Sequence, residues 1–308
     1  MFRFIMPDRS IPAGERLSLL KQQMEDFLGQ EALAELFSLL HTSHDRIAKD
    51  YNGRKRDGGR VLETQVMEPL QELSSLRQSL YPLFAKLGFF HINAPVKKSH
   101  SRLLILGGAV NVCFTRAQYA SQWIDPSTLS VDGLSCYRPV NPKEREGSSF
   151  SSASETEFGV LTDAFSSAFE LPEGGFSDSF EGDRNLNRIS CIREYAERKM
   201  GCAFRVFAAP STEPAVRRAD TGDTFLFYLS ETGLQTPGPS ESLLAITSNR
   251  YCNRQFLQLA FCLLNEKLPL DLDVIGCIPD SQIVTAETYD PFQYLQDLIG
   301  ILDWIARF

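Results

Sequence analysis

Apolar positions change their rhythm near residue 95. Between residues 13 and 92 they recur at helical spacing, as in SLLKQQMEDFLGQEALAELFSLL, where Gly29 marks a break between two helices. The polar, glycine-bearing stretch YNGRKRDGGRVLE reads as a loop, and helical spacing resumes through MEPLQELSSLRQSLYPLFAKLGFF. This pattern predicts an N-terminal all-α region over residues 1–95. After Pro95, short apolar runs end in small or polar residues and lead into helix-like stretches. The runs at 102–107, 128–133, 203–208, 243–248 and 271–276 predict strands, with a final helix near 291–306.

Fully apolar runs alternating with helices imply a parallel sheet covered on both faces. The expected fold class is therefore α/β: a Rossmann-like parallel sheet flanked by helices over 96–308, with the all-α region packed on it. An insertion at 147–183 is rich in Ser and Gly and carries one amphipathic helix from about Thr156 to Phe169. It fits either a mobile surface loop or a lid whose Glu155 or Glu157 reaches over a crevice. The sequence shows no internal repeat.

Composition narrows the function classes. The 308 residues are 43% hydrophobic and 23% charged, values of a globular chain. A net charge of −8 and a pI near 5.2 argue against a nucleic-acid-binding surface, while leaving room for a local basic pocket. Seven scattered cysteines without a CxxC pair read as buried free thiols of a reducing compartment. No signal-like segment appears, and no apolar run approaches the roughly 18 residues of a membrane span. The expected location is cytoplasmic, with no membrane partner. His41 and His44 share helical spacing but lack a third ligand, so no metal is expected. G-x-S-x-G and Walker A motifs are absent, no cysteine has a histidine near it in sequence, and no cofactor can be named.

Sheets of this class bind ligands beyond the carboxyl ends of their strands, and polar residues gather there. In LILGGAVNVCFTR, Gly107 and Gly108 permit close backbone approach, with Asn111 and Arg116 just beyond. VDGLSCYRPVNPKERE places Asp132 and Gly133 at the expected end of the second strand, followed by Arg138, which can fork onto a phosphate or carboxylate. RRADTGDTFLFYL sets Arg217 and Arg218 before a helix capped by Asp220 or Thr221, with Asp223 complementing its dipole. Cations oppose the positive end of a helix unless an anion also sits there. Arg218, Thr221 and Thr224 are therefore candidate ligand contacts. ITSNRYCNRQFLQLAF repeats the conflict, adding Thr247, Ser248, Arg250, Tyr251 and Arg254, the two arginines sharing one helix face. The carboxylates Asp132, Glu157 and Asp223 are candidates for general-base work or for holding sugar hydroxyls.

In that order, a strand ending in Gly-Gly followed by arginine, a helix start reading ADTGDT, and an ITS strand before an arginine-bearing helix resemble the SanA/YdcF/ElyC-like family of Rossmann-like domains. The resemblance covers about residues 100–280. In that family the middle motif usually reads Asn-Thr-x-x-Asn and the later one Thr-Ser-x-x-His-x-x-Arg-Ala. The resemblance thus carries over to Thr221, Asp223, Thr224, Thr247, Ser248 and Arg254. Tyr251 stands where the family has histidine, which puts that histidine's acid–base role in doubt. The expectation is a small anionic ligand, of nucleotide or sugar-phosphate type, bound and acted on by a transferase or hydrolase. The alternative is a non-catalytic sensing or interaction module that engages a protein partner through residues 1–95.

Overall fold

A computed structural model describes the chain apart from residues 1, 52–55, 58–59, 62–74, 91–93, 146–148, 183–186, 200, 216, 239 and 278–290. The helical pattern expected over 67–74 lies outside the described residues. Seven strands build one sheet: β1 (Arg102–Leu106), β2 (Ser130–Cys136), β3 (Phe176–Glu181), β4 (Ser190–Tyr195), β5 (Ala203–Ala209), β6 (Ser242–Ser248) and β7 (Asp271–Cys277). Their spatial order is β3-β4-β5-β2-β1-β6-β7. The strands from β5 to β7 run parallel, and β3 and β4 add an antiparallel ribbon at one edge. Numbered along the chain, the parallel strands lie in the order 3-2-1-4-5, which is the doubly wound Rossmann arrangement.

The alternation of side chains along each strand explains the two cores. Leu103 and Ile105 of β1 pack with helices α5 (Val110–Ser121) and α6 (Glu157–Phe169) on one face. Leu104 and Leu106 pack on the other with α7 (Thr221–Glu231), α8 (Cys252–Asn265) and α9 (Pro291–Ile305). Because both faces are covered, β2, β6 and β7 are buried along their whole length. Two boundaries differ from expectation with consequences. β2 begins at Ser130, not 128, and runs on to Cys136, so Asp132 is its third residue and lies in the amino half of the sheet. The Ser/Gly-rich insertion also contains FSDSFE, which forms β3, an edge strand exposed throughout. Pairing with β4 along its full length supplies the order that its composition does not advertise. The polar stretch near residue 57 likewise forms a short hairpin, Arg56–Asp57 against Arg60–Val61.

Helices α1 (Ala13–Leu28), α2 (Glu31–Leu39), α3 (His44–Tyr51) and α4 (Arg77–Lys86) share the second core with α8 and α9. Phe4 stacks on Phe256 with ring centroids 6.2 Å apart. Arg16, 2% exposed, donates to the carbonyls of Leu268 (3.2 Å) and Leu270 (2.8 Å), where the chain enters β7. At the amino end of β7, Asp273 accepts hydrogen bonds from the backbone of Val96 and Lys97 (3.0 Å each) and pairs with His100 Nε2 at 2.9 Å. The segment leading out of the helical region is thereby fastened to the sheet.

This fastening is testable by pH. Burial works to raise the Asp273 carboxyl, but hydrogen bonds from His100, Lys97 and Val96 outweigh it and hold it below the ordinary 3.8. A carboxyl lowered on folding stabilises the protein above its unfolded value and loses that contribution as pH falls through its folded value. Asp273→Asn is expected to lose about 1.5–3 kcal/mol near neutral pH. The gap from the parent closes as the pH is taken below 3.8. Urea unfolding across this range measures it, and a gap independent of pH would contradict the assignment.

Candidate functional site

β1 and β6 are neighbours, yet the chain leaves them toward opposite faces of the sheet, into α5 and α8. Doubly wound sheets bind their ligands at such a switch point. The chain leaves β1 through the half-exposed residues Gly107, Gly108 and Ala109. A Cβ on Gly107 would stand 2.5 Å from Glu157 Oε1 and 3.0 Å from the Leu134 carbonyl, so only glycine lets α6 close here. The start of α5, at Ala109, has no side-chain cap. The turn Asn249–Tyr251 that leads into α8 also lacks one, at both Ser248 and Tyr251. The flanking helices differ. Thr156 caps α6 through the Gly159 amide, and Asp220 and Asp223 form a reciprocal capping box on α7. Both helix starts that meet at the switch point thus lack side-chain caps, as do α1, α2 and α4.

Arg116 of α5 crosses beneath this point with 1% exposure. Its Nη1 donates to the carbonyls of Leu106 (2.5 Å) and Gly107 (2.7 Å), and its Nε and Nη2 donate to Ser248 Oγ (3.3 and 3.1 Å). It therefore ties the ends of β1 and β6 together. Among the described residues no carboxylate pairs with it. Next to Ser248, Asn249 is 2% exposed, and neither amide atom has a hydrogen-bond partner among the described residues. The Tyr251 ring is faced by the guanidinium groups of Arg250 (4.3 Å), Arg254 (4.8 Å) and Arg116 (5.8 Å). Arg250 also donates to the Tyr251 hydroxyl. Buried Asp297 of α9 takes Arg254 Nη1 at 3.1 Å and Arg250 Nε at 3.5 Å. An anion does lie between the arginines at the start of α8, and the protein itself supplies it.

A second cluster surrounds the end of β2. Arg138 is held between Glu157 (2.5 Å) and Glu144 (2.9 Å). Burial pushes the Cys136 thiol up to about 12; Glu157 reinforces this, while Arg218 and Arg138 oppose it, so all three charges lie within electrostatic reach of that strand end. Arg218 is exposed, and its guanidinium has no partner among the described residues. Arg217 is instead absorbed by Asp223, Asp220 (3.4 Å) and Glu213 (3.1 Å). Burial works to raise the Asp223 carboxyl, but hydrogen bonds from Arg217 and Thr212 outweigh it and keep it low. All seven cysteines are free and buried. Burial raises Cys113, Cys136, Cys252 and Cys262 to about 12 and Cys191, Cys202 and Cys277 to about 11, which disfavours the nucleophilic thiolate in each.

The fold thus gathers Gly107, Gly108, Arg116, Ser248, Arg250, Tyr251 and Arg254 at the switch point, with Asn111 in the first turn of α5. Glu157 and Arg138 adjoin them. Other expected residues lie elsewhere or face inward. Asp132 is wholly buried, accepting from Arg205 Nε (2.8 Å), the Tyr228 hydroxyl (3.0 Å) and Ser130 (2.5 Å); because β2 runs on to Cys136, it lies well before the carboxyl end of that strand. Asp223 serves the capping box of α7 and is not presented for catalysis. The Thr224 hydroxyl turns back on the carbonyl of Thr221, the half-buried first residue of α7 (3.0 Å), and Thr247 is buried against Gln255. Asn249 and Asp297 were missed. Asp297 had a signal, a lone acid in the apolar stripe YLQDLIGIL; Asn249 had only its place after a strand.

Among the described residues no helix is long and apolar enough to cross a membrane, and no group of three His, Cys, Asp or Glu side chains is placed to hold a metal ion. No family model matches the chain, and no curated protein or solved structure is similar to it.

The pairing with Asp297 separates two arginines that the sequence treats alike. Arg254→Ala is expected to lose about 1.5–3 kcal/mol of stability, because it strips a charge-assisted bond from a buried carboxylate. Arg218→Ala should stay within about 0.5 kcal/mol of the parent. Equal losses in urea unfolding would show that Asp297 does not depend on Arg254.

Proposed function

We propose that the protein binds a small anionic ligand, of nucleotide or sugar-phosphate type, in the crevice between the ends of β1 and β6. Arg116 carries this reading: a buried guanidinium with no carboxylate partner among the described residues, at the point where a doubly wound sheet reverses. A buried cation is unfavourable unless opposite charge lies near it. Its donors are taken by Leu106, Gly107 and Ser248, so it acts on a ligand through its field. Gly107 is engaged by Leu134 and Arg116, so direct contact falls to the backbone of Gly108 and Ala109 and the uncapped start of α5, a geometry suited to phosphate. Exposed Arg218 adds a second charge at the rim, and the Tyr251 ring lies beside the same guanidinium groups. Glu157, against Gly107, is the carboxylate placed to accept sugar hydroxyls or to serve as a base. If the protein is an enzyme, transferase or hydrolase chemistry would centre there. The resemblance to SanA/YdcF/ElyC-like domains is compatible with such a ligand.

Thermal unfolding with AMP, ADP and ribose 5-phosphate tests the proposal. A ligand at a hundred times its Kd adds about 2.7 kcal/mol of stability. Arg218→Ala should weaken binding about ten- to a hundredfold while leaving the melting temperature of the free protein in place. Failure of every phosphate compound to stabilise the parent would overturn the proposal.

A further inference from the structure

Among the described residues no hydrogen bond accounts for the side chain of Asn249. It is 2% exposed, and both Nδ2 and Oδ1 lack hydrogen-bond partners among the described residues. Buried polar groups in native proteins are nearly always paired, so two orphan atoms on one amide call for an explanation. The seat is also built for this residue. Gly276 of β7 lies so close that a Cβ there would come 2.4 Å from Asn249 Cα and 2.8 Å from its backbone nitrogen. Asn249 directly follows Ser248, the strand-end residue whose hydroxyl takes two of the Arg116 donors, so it sits at the β6 end of the proposed crevice.

The chemistry of an amide limits its partner. A phosphate offers acceptors only and would leave Oδ1 unpaired; an ammonium or guanidinium offers donors only and would leave Nδ2 unpaired. A group presenting a donor beside an acceptor satisfies both. The edge of a nucleobase is such a group, and asparagine pairs with one through two parallel bonds. We propose that Asn249 is the specificity-determining residue of the crevice, its amide reading the donor–acceptor edge of a nucleobase. This rests on the proposed function and narrows its ligand to a nucleotide. In the free protein the unpaired amide is a local destabilisation, a pattern expected where function and stability compete.

Asn249→Leu, similar in size but apolar, tests this with AMP and ribose 5-phosphate as probes. The ligand-free variant is expected to melt at or above the parent's temperature. Its affinity for AMP should fall about ten- to a hundredfold, toward that for ribose 5-phosphate, which should not change. Asn249→Ala, which cannot overfill the site, should show the same loss of AMP binding. Three results would overturn the inference and leave the proposed function standing. They are a melting temperature lowered by several degrees in both variants, unchanged AMP affinity, or an equal loss for ribose 5-phosphate. If neither compound stabilises the parent, the proposed function itself fails, and this inference with it.

Discussion

The bridge made by Arg116 joins the two strands between which the sheet reverses direction. β1 and β6 send their chains to opposite faces, so no helix covers both ends. One guanidinium spans the gap, donating to two carbonyls of the β1 end and to the hydroxyl that ends β6. The planar fork of arginine suits this task, since its donors diverge at fixed angles; a lysine ammonium would lack that fixed geometry. The same group that closes the structure leaves a buried positive charge at the switch point.

The other arginines along this edge are largely neutralised from within. Asp297 takes Arg250 and Arg254, Asp223 takes Arg217, and Glu157 with Glu144 takes Arg138. In a chain of net charge −8, such pairing confines positive potential to a few places. Arg116 and Arg218 stand apart because no carboxylate among the described residues answers them. One is buried and the other exposed.

Stability is organised at the opposite edge. There Asp132 binds Arg205 and Tyr228 inside the sheet, and Asp273 gathers His100 and the backbone of Val96 and Lys97. Arg16 of α1 reaches the loop before β7. Buried carboxylates fully engaged by partners hold elements together and are poor acid–base groups.

Periodicity alone determined the α/β class, the five parallel strands, the N-terminal helices and the helix of the insertion, because burial on one stripe or on both faces is written locally at fixed spacing. RLLIL and SLLAITS are strands from their own residues. The ribbon β3–β4 was hidden because FSDSFE is exposed throughout and takes its order from pairing with a strand several residues further along. The switch-point glycines and the arginines after them could also be read from the sequence. Whether a charge there is free could not. Arg254 and Arg218 look alike in sequence, and only the docking of α9 gives one of them Asp297. Likewise the continuation of β2 to Cys136, past its expected end at 133, left Asp132 in the core and not at the carboxyl edge. Charge partners are chosen across the fold, between residues far apart in the chain, so the tertiary structure decided which polar groups are answered from within.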